Sequence, residues 1–150
     1  MPGIRTSTTI AATTEEVWDA LADISTHVEW MADAESIRFT STRRSGVGTT
    51  FDCATKVGPL RLMDEMEITR WDVGRAMGVR HVGLVTGSGL FSLAPSGPEA
   101  TVLTWTEELR FPWWLGGSIG AWAARPVLGW IWRGNLRRLT QRVEGARPPQ

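Results

Sequence analysis

The sequence has no tyrosine, one cysteine, one lysine and two histidines in 150 residues. With Cys53 as the sole thiol, neither an internal disulfide nor a cysteine-rich zinc site can form. No charge sign is in surplus, since sixteen basic residues balance sixteen acidic ones. That argues against a general nucleic-acid binder, which needs excess Lys and Arg to displace counterions from phosphate. The opening Met-Pro-Gly-Ile-Arg lacks the apolar core of a signal peptide, so a reducing cytoplasm is the expected compartment. Dinucleotide and phosphate-loop fingerprints are absent as well. Gly87 and Gly89 have neither a third glycine nor a following helix, so no phosphate site is indicated.

What is present fits one globular domain. At 16.6 kDa, with 42% hydrophobic and 21% charged residues, the chain is long enough to enclose a core. Nine residues are Trp, and fifteen of the sixteen basic residues are Arg; the Trp count in particular asks for a physical reason.

The segment from Gly3 to Ile10 is β-prone. Thr13-Thr-Glu-Glu16 then has the form of a capping box. Val17, Trp18, Leu21 and Ala22 follow at helical spacing. Asp23-Ile-Ser25 closes this helix and opens a short second one carrying His27 and Trp30. From about Glu35 to Phe111 the period is two. One face carries Ile37 and Phe39, then Phe51, Cys53 and Thr55, then Leu60, Leu62, Asp64, Met66 and Ile68. Met77, Val79 and His81 continue it, followed by Gly87, Gly89, Phe91 and Leu93, and by Thr101, Leu103, Trp105, Glu107 and Leu109. Gly46-Val-Gly48, Gly58-Pro59, Asp72-Val-Gly74 and Pro95-Ser-Gly-Pro98 supply turns. Beyond Pro112 a helix is expected from about Ser118 to Val143, with a stripe of Leu128, Trp132, Leu136, Leu139 and Val143 and a kink or break at Pro126. Residues 145–150 read as a tail. The order implies an α+β domain whose curved antiparallel sheet is covered by the long helix, an arrangement that leaves room for a small apolar ligand.

Several segments resemble the polyketide cyclase/dehydrase-like branch of the START-like (SRPBCC) superfamily. They are Val17-Trp-Asp-Ala-Leu-Ala-Asp23, Trp30, Gly46-Val-Gly48, Gly87-Ser-Gly-Leu-Phe-Ser-Leu93, Thr101-Val-Leu-Thr-Trp105 and Trp130-Ile-Trp-Arg-Gly-Asn-Leu136. The likeness runs over about residues 4–144 and implies a single domain of the helix-grip fold. It does not fix an activity, because the family includes lipid carriers, cyclases and hormone receptors.

If the apolar parity points inward, so do Asp64, His81 and Glu107, and buried carboxylates need partners, water or a wet cavity. They are the candidate catalytic residues. His81 has the ordinary pKa for moving a proton in a cyclisation or dehydration. The competing reading is that the three pair structurally, with Arg80 or Arg110 among the partners. No spacing supports a metal site. Gly116-Gly-Ser-Ile-Gly120 matches the G-x-S-x-G pattern, but no Asp or His follows Ser118, so no hydrolase triad is expected. Cys53 reads as a packing residue. Residues 111–132 are nearly long enough to cross a bilayer, yet Arg125 and Pro126 interrupt them, so no stable span is expected. Trp113 and Trp114 are either an exposed lip that touches a membrane interface or a flap at the cavity mouth, or else they fill space between helix and sheet; Trp122 and Trp130 are expected to fill it.

The expected cavity walls are Trp30, Phe51, Met66, Phe91, Trp105 and Trp122. The expected function is binding, transport or sensing of a small hydrophobic molecule such as a lipid, polyketide or aromatic compound, which requires no cofactor. The alternatives are a polyketide aromatase/cyclase or dehydratase using the polar residues of the cavity, and an interaction module docking through Trp113 and Trp114. The sequence does not fix the oligomeric state.

Overall fold

The structure is a computed structural model that describes residues 3–147. Seven strands form one antiparallel sheet: β1 Gly3–Ile10, β2 Ala34–Phe39, β3 Thr50–Val57, β4 Leu60–Asp72, β5 Ala76–Val82, β6 Thr86–Pro95 and β7 Thr101–Arg110. Strands β2 to β7 follow one another as a meander, and β1 crosses to pair with β7, giving the order β1-β7-β6-β5-β4-β3-β2. Between β1 and β2 lie α1, Thr14–Ala22, and a 3-10 helix, Ile24–Glu29. A second 3-10 helix, Trp113–Leu115, leads into α2, Gly117–Gly145.

The local devices follow from side-chain chemistry. The Thr13 hydroxyl accepts the Glu16 amide proton at 3.2 Å while the Glu16 carboxylate reaches back to the Thr13 amide at 3.4 Å, closing the capping box at the start of α1. Between β4 and β5 the register slips at Ile68 and Arg70, a bulge that bends the long strand. Gly78 sits against that bulge, where a Cβ would fall 2.9 Å from the Cβ of Arg70.

Helix α2 buries Leu128, Trp132, Leu136, Leu139 and Val143, the stripe read from the sequence, mainly against β1. Each such apolar side chain removed from water stabilises the fold by about 1.5–3 kcal/mol. Asn135 is buried within this stripe, and it ties the helix to the turn before β2. Its Nδ2 donates to Asp33 at 2.8 Å, its Oδ1 accepts from the Ala32 amide at 2.9 Å, and Trp132 Nε1 donates to Asp33 at 3.2 Å. Pro126 does not split α2, which runs unbroken through it. Pro126 withholds only one amide from the carbonyl four residues back, and the flanking turns carry the helix across.

The end of the chain differs from the expected tail. Gly145 closes the helix, Ala146 caps it, and Arg147 ion-pairs with Glu16 at 2.8 Å and Glu99 at 2.8 Å while donating to the Ala11 carbonyl at 3.0 Å. A guanidinium has five N–H groups in a fixed fork, so one side chain can join three segments. Residues 148–150 of the expected tail lie outside the described residues.

Candidate functional site

The concave face of the sheet, the 3-10 helix Ile24–Glu29 and the N-terminal half of α2 bound a cavity of about 220 Å³. Inward positions of the strands line it, among them Ile37, Phe51, Met66, Val79, Phe91 and Trp105, and Leu128 and Trp132 close it from the helix. The strand parity read from the sequence therefore points into the cavity, and Phe51, Met66, Phe91 and Trp105 stand where they were expected.

Two of the six expected wall residues do not. Trp30 is 1% exposed but lies behind the wall, its ring 6.1 Å from Phe91 and 6.3 Å from Trp105 by centroids. The turn ending the 3-10 helix aims it into the layer beneath the cavity. Trp122 is 64% exposed and faces solvent, because it falls off the buried stripe of α2. Trp130, expected to fill the gap between helix and sheet, is also exposed. Trp132, on the stripe, stacks on Trp105 at 4.8 Å instead.

Asp64, His81 and Glu107 come together on the cavity wall. His81 Nδ1 lies 3.0 Å from both carboxylate oxygens of Asp64, and Nε2 lies 2.8 Å from Oε2 of Glu107. Oε1 of Glu107 accepts the Trp105 indole N–H at 3.1 Å. The anticipated partners Arg80 and Arg110 are not part of this cluster; Arg80 pairs with Glu67. Two glycines make the arrangement possible. His81 on β5 and Glu107 on β7 must meet across β6, where Gly87 pairs with His81 and Gly89 pairs with Glu107. A Cβ on Gly89 would fall 2.3 Å from Oε1 of Glu107, and Gly87 has a φ of 132° with its Cβ position blocked by a backbone carbonyl. With no side chains at these two places in the inward row of β6, the carboxylate and the ring occupy their space.

This geometry sets the proton inventory. Burial alone would lower the His81 pKa, but hydrogen bonds to Asp64 and Glu107 and the charges of both carboxylates outweigh it and raise the pKa to about 10. His81 is thus an imidazolium donating both N–H groups. The expectation of a histidine poised near neutrality is corrected: with both nitrogens protonated, the ring has no lone pair to take a proton or to ligate a metal. Asp64 and Glu107 present four acceptor oxygens to three N–H groups; Asp64, which borders the cavity, accepts only from His81 Nδ1 and so retains free acceptor capacity. Among the described residues, no Lys or Arg lines the cavity.

The remaining candidates have structural roles. Burial raises the Cys53 thiol to about 11, which keeps it protonated in the wall. His27 donates from Nε2 to the Leu21 carbonyl, 2.8 Å away, and burial lowers its pKa to about 4, so it is a neutral packing residue. Ser118 stands in the first turn of α2 with no acid or histidine beside it. The glycines around it serve the turn: Gly116 and Gly117 have positive φ, and a Cβ on Gly120 would strike the Leu115 carbonyl at 2.0 Å. The sequence reading did not single out Asp33, which also borders the cavity and is held by Trp132 and Asn135. Its one signal was to be the sole carboxylate in the turn between the 3-10 helix and β2, too slight to separate it from a surface residue.

A seven-stranded sheet gripping one long helix over an apolar cavity with a charged cluster defines a START-like, helix-grip protein. Its solved structural relatives agree. A protein from Thermus thermophilus superposes with a TM-score of 0.77 at 21% identity, covering 98% of this chain and 100% of that one. A START superfamily protein from Mycobacterium smegmatis gives 0.76 at 14% identity over 97% and 99%. The Zhui aromatase/cyclase from Streptomyces sp. R1128 gives 0.70 at 20% identity over 95% and 93%. No curated protein matches the chain. Residues 1–144 match the family described as polyketide cyclase / dehydrase and lipid transport, and the chain belongs to that family.

Proposed function

We propose that the chain binds a small, largely apolar molecule in this cavity, for carriage or sensing, with a hydroxyl or similar donor group set against Asp64. The observation that carries the reading is an apolar space of about 220 Å³ left between sheet and helix, where a ligand gains the burial of its hydrocarbon surface. The charged cluster supplies orientation. Its free capacity is on an acceptor, and its one cation, His81, is already committed to two carboxylates. An alcohol or phenol therefore finds a partner where a free carboxylate meets like charge.

Isothermal titration calorimetry with 1-decanol, decanoate, 2-naphthol and 2-naphthoate tests this. Each alcohol or phenol should bind saturably and at least about tenfold tighter than its matching carboxylate, the discrimination of one hydrogen bond to a charged group. Val79→Trp, which fills the cavity from β5, should abolish binding while circular dichroism stays unchanged. No heat of binding from any of the four, or equal binding to the filled variant, would overturn the reading.

A second reading, an aromatase/cyclase or dehydratase acting on a polyketide-like chain, is supported by the charged cluster facing an otherwise apolar space, and one structural relative is an aromatase/cyclase. In that reading Asp64, rather than His81, accepts the substrate proton, and Glu107 fixes the imidazolium. Turnover of a poly-β-keto substrate mimic that is lost in Asp64→Asn favours it; recovery of the compound unchanged favours carriage.

A further inference from the structure

We propose that the outer face of α2, together with the 3-10 helix Trp113–Leu115, is a docking surface for an anionic lipid bilayer. Trp113, Trp114, Ile119, Trp122 and Trp130 are 86%, 51%, 77%, 64% and 72% exposed. Leaving five such side chains in water on one stretch forgoes burial that their size would otherwise provide, and clustered exposed apolar surface marks an interaction site. Their spacing is ordered. Ile119, Trp122, Pro126, Trp130, Arg133 and Arg137 follow one another at intervals of three or four, which places them on one side of α2. Ile119, Trp122 and Trp130 lie off the buried stripe of Leu128, Trp132, Leu136, Leu139 and Val143, and Arg133 and Arg137 stand at its flank, beside Leu136 and residues 6–8 of β1. The helix is thus amphipathic twice: one apolar stripe is covered by the sheet, and the other is bare and passes into arginine.

Charge identifies the partner. Residues 109–143 contain six Arg and no Asp or Glu in a chain that is neutral as a whole. Among the described residues, Arg110, Arg125, Arg133 and Arg137 make no ion pair with a carboxylate. A second copy docked here by a two-fold axis would set arginine against arginine with no acid to separate them. Lipid phosphates supply the missing negative charge, and indole rings partition into the headgroup layer where one edge is wet and the other apolar. The helix would lie in the plane of the surface; among the described residues no helix is long and apolar enough to cross a membrane. Ala124, Val127 and Leu128 of the same helix line the cavity, so the helix that carries the docked face on its outside also walls the cavity on its inside. Docking itself requires no occupant.

Flotation with vesicles of phosphatidylcholine alone, and of phosphatidylcholine with roughly one-third phosphatidylglycerol, tests the proposal. The chain should partition onto the anionic vesicles at least about tenfold more than onto the neutral ones, and lose this preference in high salt. Trp122→Ser with Trp130→Ser, and separately Arg133→Glu with Arg137→Glu, should each reduce partition at least about tenfold. All four side chains are exposed, so circular dichroism should stay unchanged. Equal binding to both vesicle types, no binding to either, or indifference to both double variants overturns the proposal. So does a dimer seen by light scattering that dissociates in Trp122→Ser with Trp130→Ser while vesicles are ignored, since the face would then belong to a second copy.

Discussion

A methyl group on Gly89 would sit 2.3 Å from Oε1 of Glu107, so Gly89→Ala must push that carboxylate off its partners. The expected cost is about 1–3 kcal/mol, the usual range for overpacking, read by urea denaturation. The expected signature is local as well. With Glu107 displaced, His81 loses one of the two hydrogen bonds that keep it protonated, and its pKa, followed by NMR of the ring protons, should fall below about 10. An unchanged titration would mean that Glu107 does not hold the proton there. The three residues of this cluster were legible in the sequence because each falls on the apolar parity of its strand. Their protonation was not. It depends on a diagonal meeting of β5 and β7 across two glycines of β6, and strand register together with a shared proton is a three-dimensional fact.

At the scale of elements, α1 is held at both ends of its first turn. Thr13→Ala removes the cap and should destabilise the protein by about 1 kcal/mol, measurable by urea denaturation. Arg147→Ala should leave the sheet intact but speed amide hydrogen exchange in the last turn of α2 and at the start of α1, which the guanidinium joins. Unchanged exchange in both segments would show the latch to be idle. The capping box was readable from Thr13 and Glu16 alone, since it is a local pattern. The latch was not, because two of its acceptors, at Ala11 and Glu16, lie at the far end of the chain and the third is at Glu99. Trp122 and Trp130 illustrate a different failure. Their spacing relative to Leu128, Trp132 and Leu136 already sets them off the buried stripe, and only the expectation that large aromatic residues go inside argued otherwise.

For the whole molecule, the two histidines make opposite contributions to stability. His81 has its pKa raised from 6.5 to about 10, so its contribution is complete below pH 6.5 and is lost as the pH climbs through 10. His27 has its pKa lowered from 6.5 to about 4, so its contribution is complete above pH 6.5 and is lost as the pH falls through 4. Urea unfolding between about pH 4 and pH 10 should therefore give two mirrored trends. The stability gap between the parent and His81→Gln should be about 3–5 kcal/mol near pH 6, the usual penalty for leaving a buried partner uncompensated, and should close toward about pH 10. The gap to His27→Gln should close toward about pH 4. A gap that stays constant with pH for either variant would show that the histidine does not titrate as its surroundings dictate. The overall architecture was the most legible level of all, since the change of hydrophobic period from helical to two and back marks the sheet and its cover directly.

The sheet order carries one more consequence, for synthesis. β1 leaves the ribosome ahead of the other strands, yet its only strand partner, β7, follows about ninety residues later, and α2, which also packs on it, comes after that. Until then the meander is an open bowl with its greasy inside bare and β1 unpaired, a state that invites aggregation or a chaperone. Folding can finish only when translation of the final helix has brought a lid for the bowl, so a nascent chain stalled before α2 should be a client for holdases rather than a smaller working protein.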